Sequence, residues 1–191
     1  RDRSPSRGLG DVYKRQKYAR VAEEDPNAVV SFHYYLPMLL SHYKMLAWVG
    51  YQGAVQYPGV VIPTQSDADK YPQYASFHKT TYNADRIMGE MSNAASDGRN
   101  AGLAVHCGEF GCSKNVAEAM RLAWFTDMVA AMEANNIPWT LWECLDGGFG
   151  FVDMEYGIYR INCPLLKVLT GKELTDAEAK VLLQKYGFKT E

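Results

Sequence analysis

Val105-His106-Cys107-Gly108-Glu109-Phe110-Gly111 is the stretch whose reading decides the fold. The apolar run Leu103-Ala104-Val105 delivers one glutamate between two glycines, and a helix-like segment follows. A strand with this exit suits a barrel of parallel strands, whose active site forms where the strands' C-terminal ends open into loops. The flanking glycines let the backbone turn sharply and leave room beside the carboxylate for a ligand. Glu109 is thus a candidate nucleophile or general acid/base for glycosyl transfer. The alternative is a structural glutamate at a strand end, paired with a Lys or Arg.

Working outward, strand-like and helix-like segments alternate. Residues 28–35 follow the turn-prone Asp25-Pro26-Asn27, are β-branched and aromatic, and read as a strand. Residues 36–72, rich in Gly, Pro and Tyr, read as one long irregular stretch of the kind that forms substrate-binding loops. Tyr74, Phe77, Thr81, Ala84, Met88, Met91 and Ala95 recur at helical spacing, with Gly98 as the expected stop. Leu103 to His106 is the next strand. Asn115, three residues before Glu118, is the expected cap of a helix that ends at Asn135-Asn136. Ile137 to Trp142 reads as a third strand, and 146–150 as a Gly-rich loop without the spacing of a nucleotide site. Pro164 and Gly171 bracket a short helix, and Thr175 with Glu178 forms a capping box for a last one ending at Gly187.

This order implies parallel strands with helical crossovers. Three such units cannot close a barrel, which takes eight strands and roughly 250 residues. The expected fold is therefore α/β, the C-terminal part of a (β/α)8 TIM barrel, about strands six to eight with their helices.

Composition narrows the function. The chain has 191 residues, with 20 basic and 22 acidic side chains for a net charge of -2. It has no basic stripe for nucleic acid, and no apolar run near the ~18 residues a membrane span needs. The 13 Tyr and 4 Trp suit sugar-stacking faces as well as a core. Cys107, Cys112, Cys144 and Cys163 contain no Cys-x-x-Cys, and their spacing offers no zinc set. Cys107 and Cys112 could bridge across the Glu109 turn or remain buried free thiols. No metal and no cofactor is expected.

The first 16 residues read as foreign. Residues 1–10 are basic and turn-rich, and Asp11-Val12-Tyr13-Lys14-Arg15-Gln16 back-translates to a sequence resembling the end of a transposase-based sequencing adapter. Residues 1–16 are set aside as adapter-derived or disordered, leaving 17–191 as a partial barrel domain. Any signal peptide would lie outside this sequence.

Three segments together resemble glycoside hydrolase family 5. Ser31-Phe32-His33-Tyr34-Tyr35-Leu36-Pro37 resembles its sixth-strand His-x-Tyr motif, with Tyr57-Pro58-Gly59 continuing the loop. Gly108-Glu109-Phe110-Gly111 resembles its seventh-strand nucleophile motif. Trp139-Thr140-Leu141-Trp142-Glu143, with 148–153 behind it, resembles its eighth-strand segment. The resemblance implies a retaining double displacement on a β-linked polysaccharide or oligosaccharide, and a secreted or periplasmic setting. Glu109 would attack the anomeric carbon, while a second carboxyl about 5 Å away would serve as acid and then base. Tyr35 would hydrogen-bond Glu109, His33 would reach toward the acid/base carboxyl, and Trp142 would lie beneath the reacting sugar. The family's acid/base glutamate follows an asparagine, and no Asn-Glu-Pro occurs here. Glu143 is a weak substitute, because it matches a position behind the stacking tryptophan. The chain alone is thus expected to be inactive. The expected activity of the whole enzyme is that of an endo-β-1,4-glucanase, with β-mannanase, β-1,3-glucanase or a non-catalytic carbohydrate-binding barrel as alternatives.

Overall fold

The computed structural model describes residues 20–190 except residues 22, 26, 46–49 and 146. The adapter reading of residues 1–16 falls outside them. Three parallel strands form the central sheet: β1 (Val29–Tyr34), β4 (Ala104–Phe110) and β5 (Trp139–Leu141), in the order β1-β4-β5. The strand carrying Glu109 is therefore central. Between β1 and β4 lie the one-turn helix α1 (Met38–Ser41), β2 (Gly59–Val60), α2 (Gln65–Lys70), a 3-10 helix (Pro72–Lys79), β3 (Thr81–Tyr82) and the long helix α3 (Ala84–Ala101). Helix α4 (Glu118–Ala134) crosses from β4 to β5. After β5 come the antiparallel hairpin β6 (Val152–Glu155) and β7 (Ile158–Ile161), then α5 (Cys163–Thr170) and α6 (Asp176–Lys185).

Period-2 alternation decides which face of the sheet is covered. On β1, Phe32 and Tyr34 turn toward the helices, whereas Val29, Ser31 and His33 lie on an exposed face. Between sheet and α4, Phe110 meets the rings of Trp124, Phe125 and Trp139 at centroid separations of 6.3, 5.8 and 5.3 Å. Phe110, Trp124, Phe125, Met128 and Met132 are fully buried there. At roughly 1.5–3 kcal/mol for each large side chain buried, this aromatic layer is the principal attraction between sheet and helix. The opposite face has no such cover among the described residues, and Val29 is 55% exposed.

The structure corrects the sequence reading at four points. The segment 36–72 is partly regular, since it holds α1, β2 and α2. The helix expected from Tyr74 is broken: Thr81–Tyr82 pairs antiparallel with Gly59–Val60, and the Asn83 side chain then caps α3 by accepting from Arg86 N at 3.0 Å. Gly98 does not stop that helix, which runs on to Ala101 and ends at Gly102 in the left-handed conformation. Gly98 is small because the helix presses on β4; a Cβ there would lie 2.0 Å from Val105 Cγ2. Asn115 does not cap α4. Its Nδ2 donates to Tyr43 O at 3.2 Å, and Ala117 occupies the cap position without a side-chain bond. The Thr175–Glu178 capping box and the Gly171 helix end are present as read. The hairpin β6–β7 had no counterpart in the reading.

Candidate active site

Glu109 owes its position to a bulge. Phe32 pairs with Cys107 and His33 with Glu109, so Gly108 is the extra residue on β4. A bulge inserts one residue into the alternation and re-aims the side chains beyond it. The glycines on either side of Glu109 serve close approach rather than a sharp turn, since neither has a positive φ. A Cβ on Gly108 would lie 2.6 Å from Ser31 Oγ, and one on Gly111 would lie 2.3 Å from Trp142 O. The space they leave is taken by neighbouring strands.

The Tyr35 hydroxyl donates to Glu109 Oε2 at 2.9 Å, and His33 Nδ1 stands 3.3 Å from the same oxygen. The reading aimed His33 at a second carboxyl; in the structure its Nδ1 faces Glu109. Burial, and then the Glu109 carboxylate, raise the Tyr35 hydroxyl well above its ordinary pKa of 10.0. The phenol therefore keeps its proton and remains a donor at neutral pH. No Lys or Arg pairs with Glu109 among the described residues. Trp142 follows β5, with its N–H donating to Phe110 O at 2.9 Å, so its backbone lies beside the residue after Glu109. Its side chain is 46% exposed, a large apolar surface left in solvent. Glu143 tucks its carboxyl against Gly147, and its Oε1 is buried without a hydrogen-bond partner.

Loops after the three strands are bound to one another. Ser113 N donates to Ser41 O at 2.8 Å, Ser113 Oγ to Tyr43 O at 2.9 Å, and Trp124 Nε1 to Leu36 O at 3.1 Å. Arg121, only 4% exposed, donates from Nε to Cys112 O at 2.9 Å and from Nη2 to Gly150 O at 2.8 Å and to Phe149 O. One guanidinium thus joins the exit of β4 to the loop that follows Trp142. Lys114 Nζ similarly bonds Asp153 Oδ1 at 2.9 Å and Val152 O at 2.8 Å. Cys107, Cys112, Cys144 and Cys163 are all free, the first two buried.

Sequence reasoning missed His42 and Arg121. The His42 ring packs against those of Tyr35 and Phe149, at 4.9 and 5.2 Å between centroids. Neither residue belongs to a periodic pattern or a motif. Their importance comes from partners brought close only by folding.

Endoglucanase C of Acetivibrio thermocellus is 22% identical over 143 residues, covering 71% of this chain and 39% of that protein. Among solved structures, the cellulose synthase subunit Z (CcsZ) of Clostridioides difficile superposes with a TM-score of 0.53 at 22% identity, over 74% of this chain and 40% of that one. Thermotoga maritima Cel5A, solved in complex with cellobiose, gives a TM-score of 0.50 at 20% identity, over 74% and 39%. The chain thus spans about two fifths of the length of these relatives. The fold they share is the (β/α)8 barrel, of which the described residues show three parallel strands with their crossovers and no closed ring. Residues 10–148, most of the chain and all three strands of the central sheet, match the family described as Cellulase (glycosyl hydrolase family 5), and to that family the chain belongs.

Proposed function

We propose that this chain is the nucleophile-bearing C-terminal part, about strands six to eight, of a retaining endo-β-1,4-glucanase. The observation that carries the reading is the Glu109 carboxylate. It sits at the end of the central strand, held among the described residues by a tyrosine hydroxyl at 2.9 Å and an imidazole at 3.3 Å rather than by a Lys or Arg. In this reading Glu109 attacks the anomeric carbon, and the bond from that carbon to the departing sugar's oxygen breaks to leave a glycosyl ester. Tyr35 and His33 orient the carboxylate. Trp142 supplies a flat apolar face for the sugar. The substrate is a β-linked polysaccharide or oligosaccharide, in a secreted or periplasmic setting.

The general acid that protonates the leaving oxygen is assigned to a carboxyl outside this chain. Loss of such a group costs on the order of 10²–10⁴-fold in rate, so the chain alone does not turn over polysaccharide at a useful rate. The uncovered sheet face that includes Val29, Ser31 and His33 supports a place for further strands.

A substrate that needs no acid isolates the assigned step. A 2,4-dinitrophenyl 2-deoxy-2-fluoro-cellobioside loses dinitrophenolate unaided, while its fluorine slows hydrolysis of the ester that forms. The chain is expected to gain one fluoroglycosyl group, located on Glu109 by peptide mass spectrometry, and the Glu109→Gln variant none. Labelling of another carboxylate, or equal labelling of the variant, would remove Glu109 as nucleophile. Slower labelling by the cello- than by the manno-configured reagent would favour a mannanase.

A further inference from the structure

Helix α6 is apolar on two sides, and only one of them is covered. Ala179 and Leu183 are buried on the side that meets β7. The outer side presents Leu174, Ala177, Glu178, Val181, Leu182 and Lys185, which line one shallow open groove. Their spacing is a single stripe at helical period. Val181 is 64% exposed, and Tyr186, one turn beyond Leu182, is 68% exposed. Every residue lining the groove belongs to α6 or to the turn before it, so no other described element overhangs the stripe. An outward face of this kind, apolar at its centre and charged at its ends, is the anatomy of a contact surface.

The stripe is complementary to itself when two copies run antiparallel. With a two-fold axis between Val181 and Leu182, Val181 faces the partner's Leu182, and Glu178 faces the partner's Lys185. The small Ala177 then lies opposite the partner's Tyr186, a large ring against a methyl group. Run parallel, the same faces would set Glu178 against the partner's Glu178 and Lys185 against the partner's Lys185. Charge therefore selects the antiparallel arrangement. Both charges are available for it. Glu178 spends Oε2 on the capping box, accepting from Thr175 N at 2.8 Å and Thr175 Oγ1 at 2.7 Å, which leaves Oε1. Those bonds hold its pKa below the ordinary 4.5, so it is ionised at neutral pH. Lys185 has no carboxylate partner among the described residues, its Nζ lying 5.6 Å from the centre of the Tyr186 ring.

We propose that α6 is a self-association helix: two copies of this chain pair about a two-fold axis between Val181 and Leu182, helices antiparallel, with Glu178 against the partner's Lys185. A helix face of this length covers roughly 400 Å² on each copy, below what a standard interface buries, so the dimer is weak and concentration-dependent. None of these residues belongs to the candidate site, and the pairing stands apart from the chemistry assigned to Glu109.

Sedimentation equilibrium of the 191-residue chain, from micromolar to millimolar concentration, tests it. The average mass is expected to rise from one chain toward two, and to rise less in high salt. Lys185→Glu turns two attractive pairs into two like-charge pairs and is expected to weaken association about tenfold. Adding Glu178→Gln to that variant removes the repulsion while keeping a capping-box residue, and is expected to recover part of the loss. If Lys185→Glu frays the end of α6, Val181→Glu carries the same test. It places an acid four residues before Lys185, which favours the helix, and a charge in the centre of the stripe, which is expected to abolish pairing. A parent chain that stays monomeric throughout overturns the proposal, and is the result expected if another partner covers the stripe. Association undiminished in Val181→Glu overturns it as well, because the contact would then lie on a different surface. Failure of Glu178→Gln to recover any pairing, with helix content unchanged by circular dichroism, overturns the antiparallel register.

Discussion

Arg121→Met is expected to loosen the candidate site and to lower the stability of the chain by about 3–5 kcal/mol. The magnitude follows from what the guanidinium holds. It is 4% exposed and has no carboxylate within ion-pair distance among the described residues; its donors go to the carbonyls of Cys112, Phe149 and Gly150. Burial depresses its pKa from 12.5, the sign of a cation whose solvation has been replaced by a few fixed dipoles. Methionine fills most of the volume and can keep contact with the Phe125 ring, over which the guanidinium now lies at 5.4 Å. It leaves carbonyl oxygens without donors, each costing about 1–3 kcal/mol where water cannot reach. Arg121→Lys keeps the charge but serves fewer carbonyls, so its loss should be roughly half. Urea unfolding measures the total, and amide hydrogen exchange localises it: protection should fall at residues 112–114 and 148–152 and hold in α3. A loss under ~1 kcal/mol, or exchange unchanged at both segments, would refute the idea that this side chain fastens the two loops.

Two further outcomes are expected. Tyr35→Phe removes the hydroxyl that holds Glu109 Oε2, and labelling by the activated fluoroglycoside should slow by about 10–100-fold, the value of a hydrogen bond to a charged group; an unchanged labelling rate would take Tyr35 out of the site. Burial pushes the thiols of Cys107 and Cys112 up to about 12 from an ordinary 9.0, so both stay protonated when folded while the unfolded chain releases their protons. The stability they contribute is fully present below pH 9 and declines toward pH 12, at about 1.4 kcal/mol per pH unit per thiol. Between pH 8 and 10 the pair should cost about 3 kcal/mol in urea unfolding, a slope that the double Cys→Ala variant should lack.

The sheet was legible because its signals are local. The β-branched and aromatic run before Tyr35 and the apolar run before His106 announce β1 and β4, and their crossover helices make them parallel. The Thr175–Glu178 capping box was legible for the same reason, since both its bonds join residues three apart. Asn115 carried an equally good local signal and failed. Tyr43 O, in the loop after the neighbouring strand β1, competes for its amide, and nothing in the residues around it announces that partner. The stripe from Tyr74 to Ala95 failed through a similar competition: β3 finds β2 some twenty residues upstream and interrupts a periodicity that continues on either side. In the candidate site, Glu109, Tyr35 and His33 were legible from their motifs and do converge. The bulge at Gly108 that makes them converge was not. Only the pairing register reveals it, and the close approach of Ser31 then shows why the extra residue is a glycine.

The distribution of cations around Glu109 bears on whether it is structural or chemical. A structural glutamate at a strand end would draw a Lys or Arg, and two such cations lie close along the chain. Arg121 is committed to three carbonyl oxygens, and Lys114 to Asp153 and the Val152 carbonyl. Each thereby braces a loop at the edge of the site. Had either reached Glu109, the ion pair would lower the energy of the free carboxylate and blunt its attack on an electrophilic carbon. A neutral phenol that stays protonated does less of both: it fixes one oxygen and leaves the charge on the carboxylate. This partition, with cations spent on scaffold groups and a protonated phenol on the carboxylate, supports the proposal that Glu109 is a nucleophile rather than an ion-pair partner.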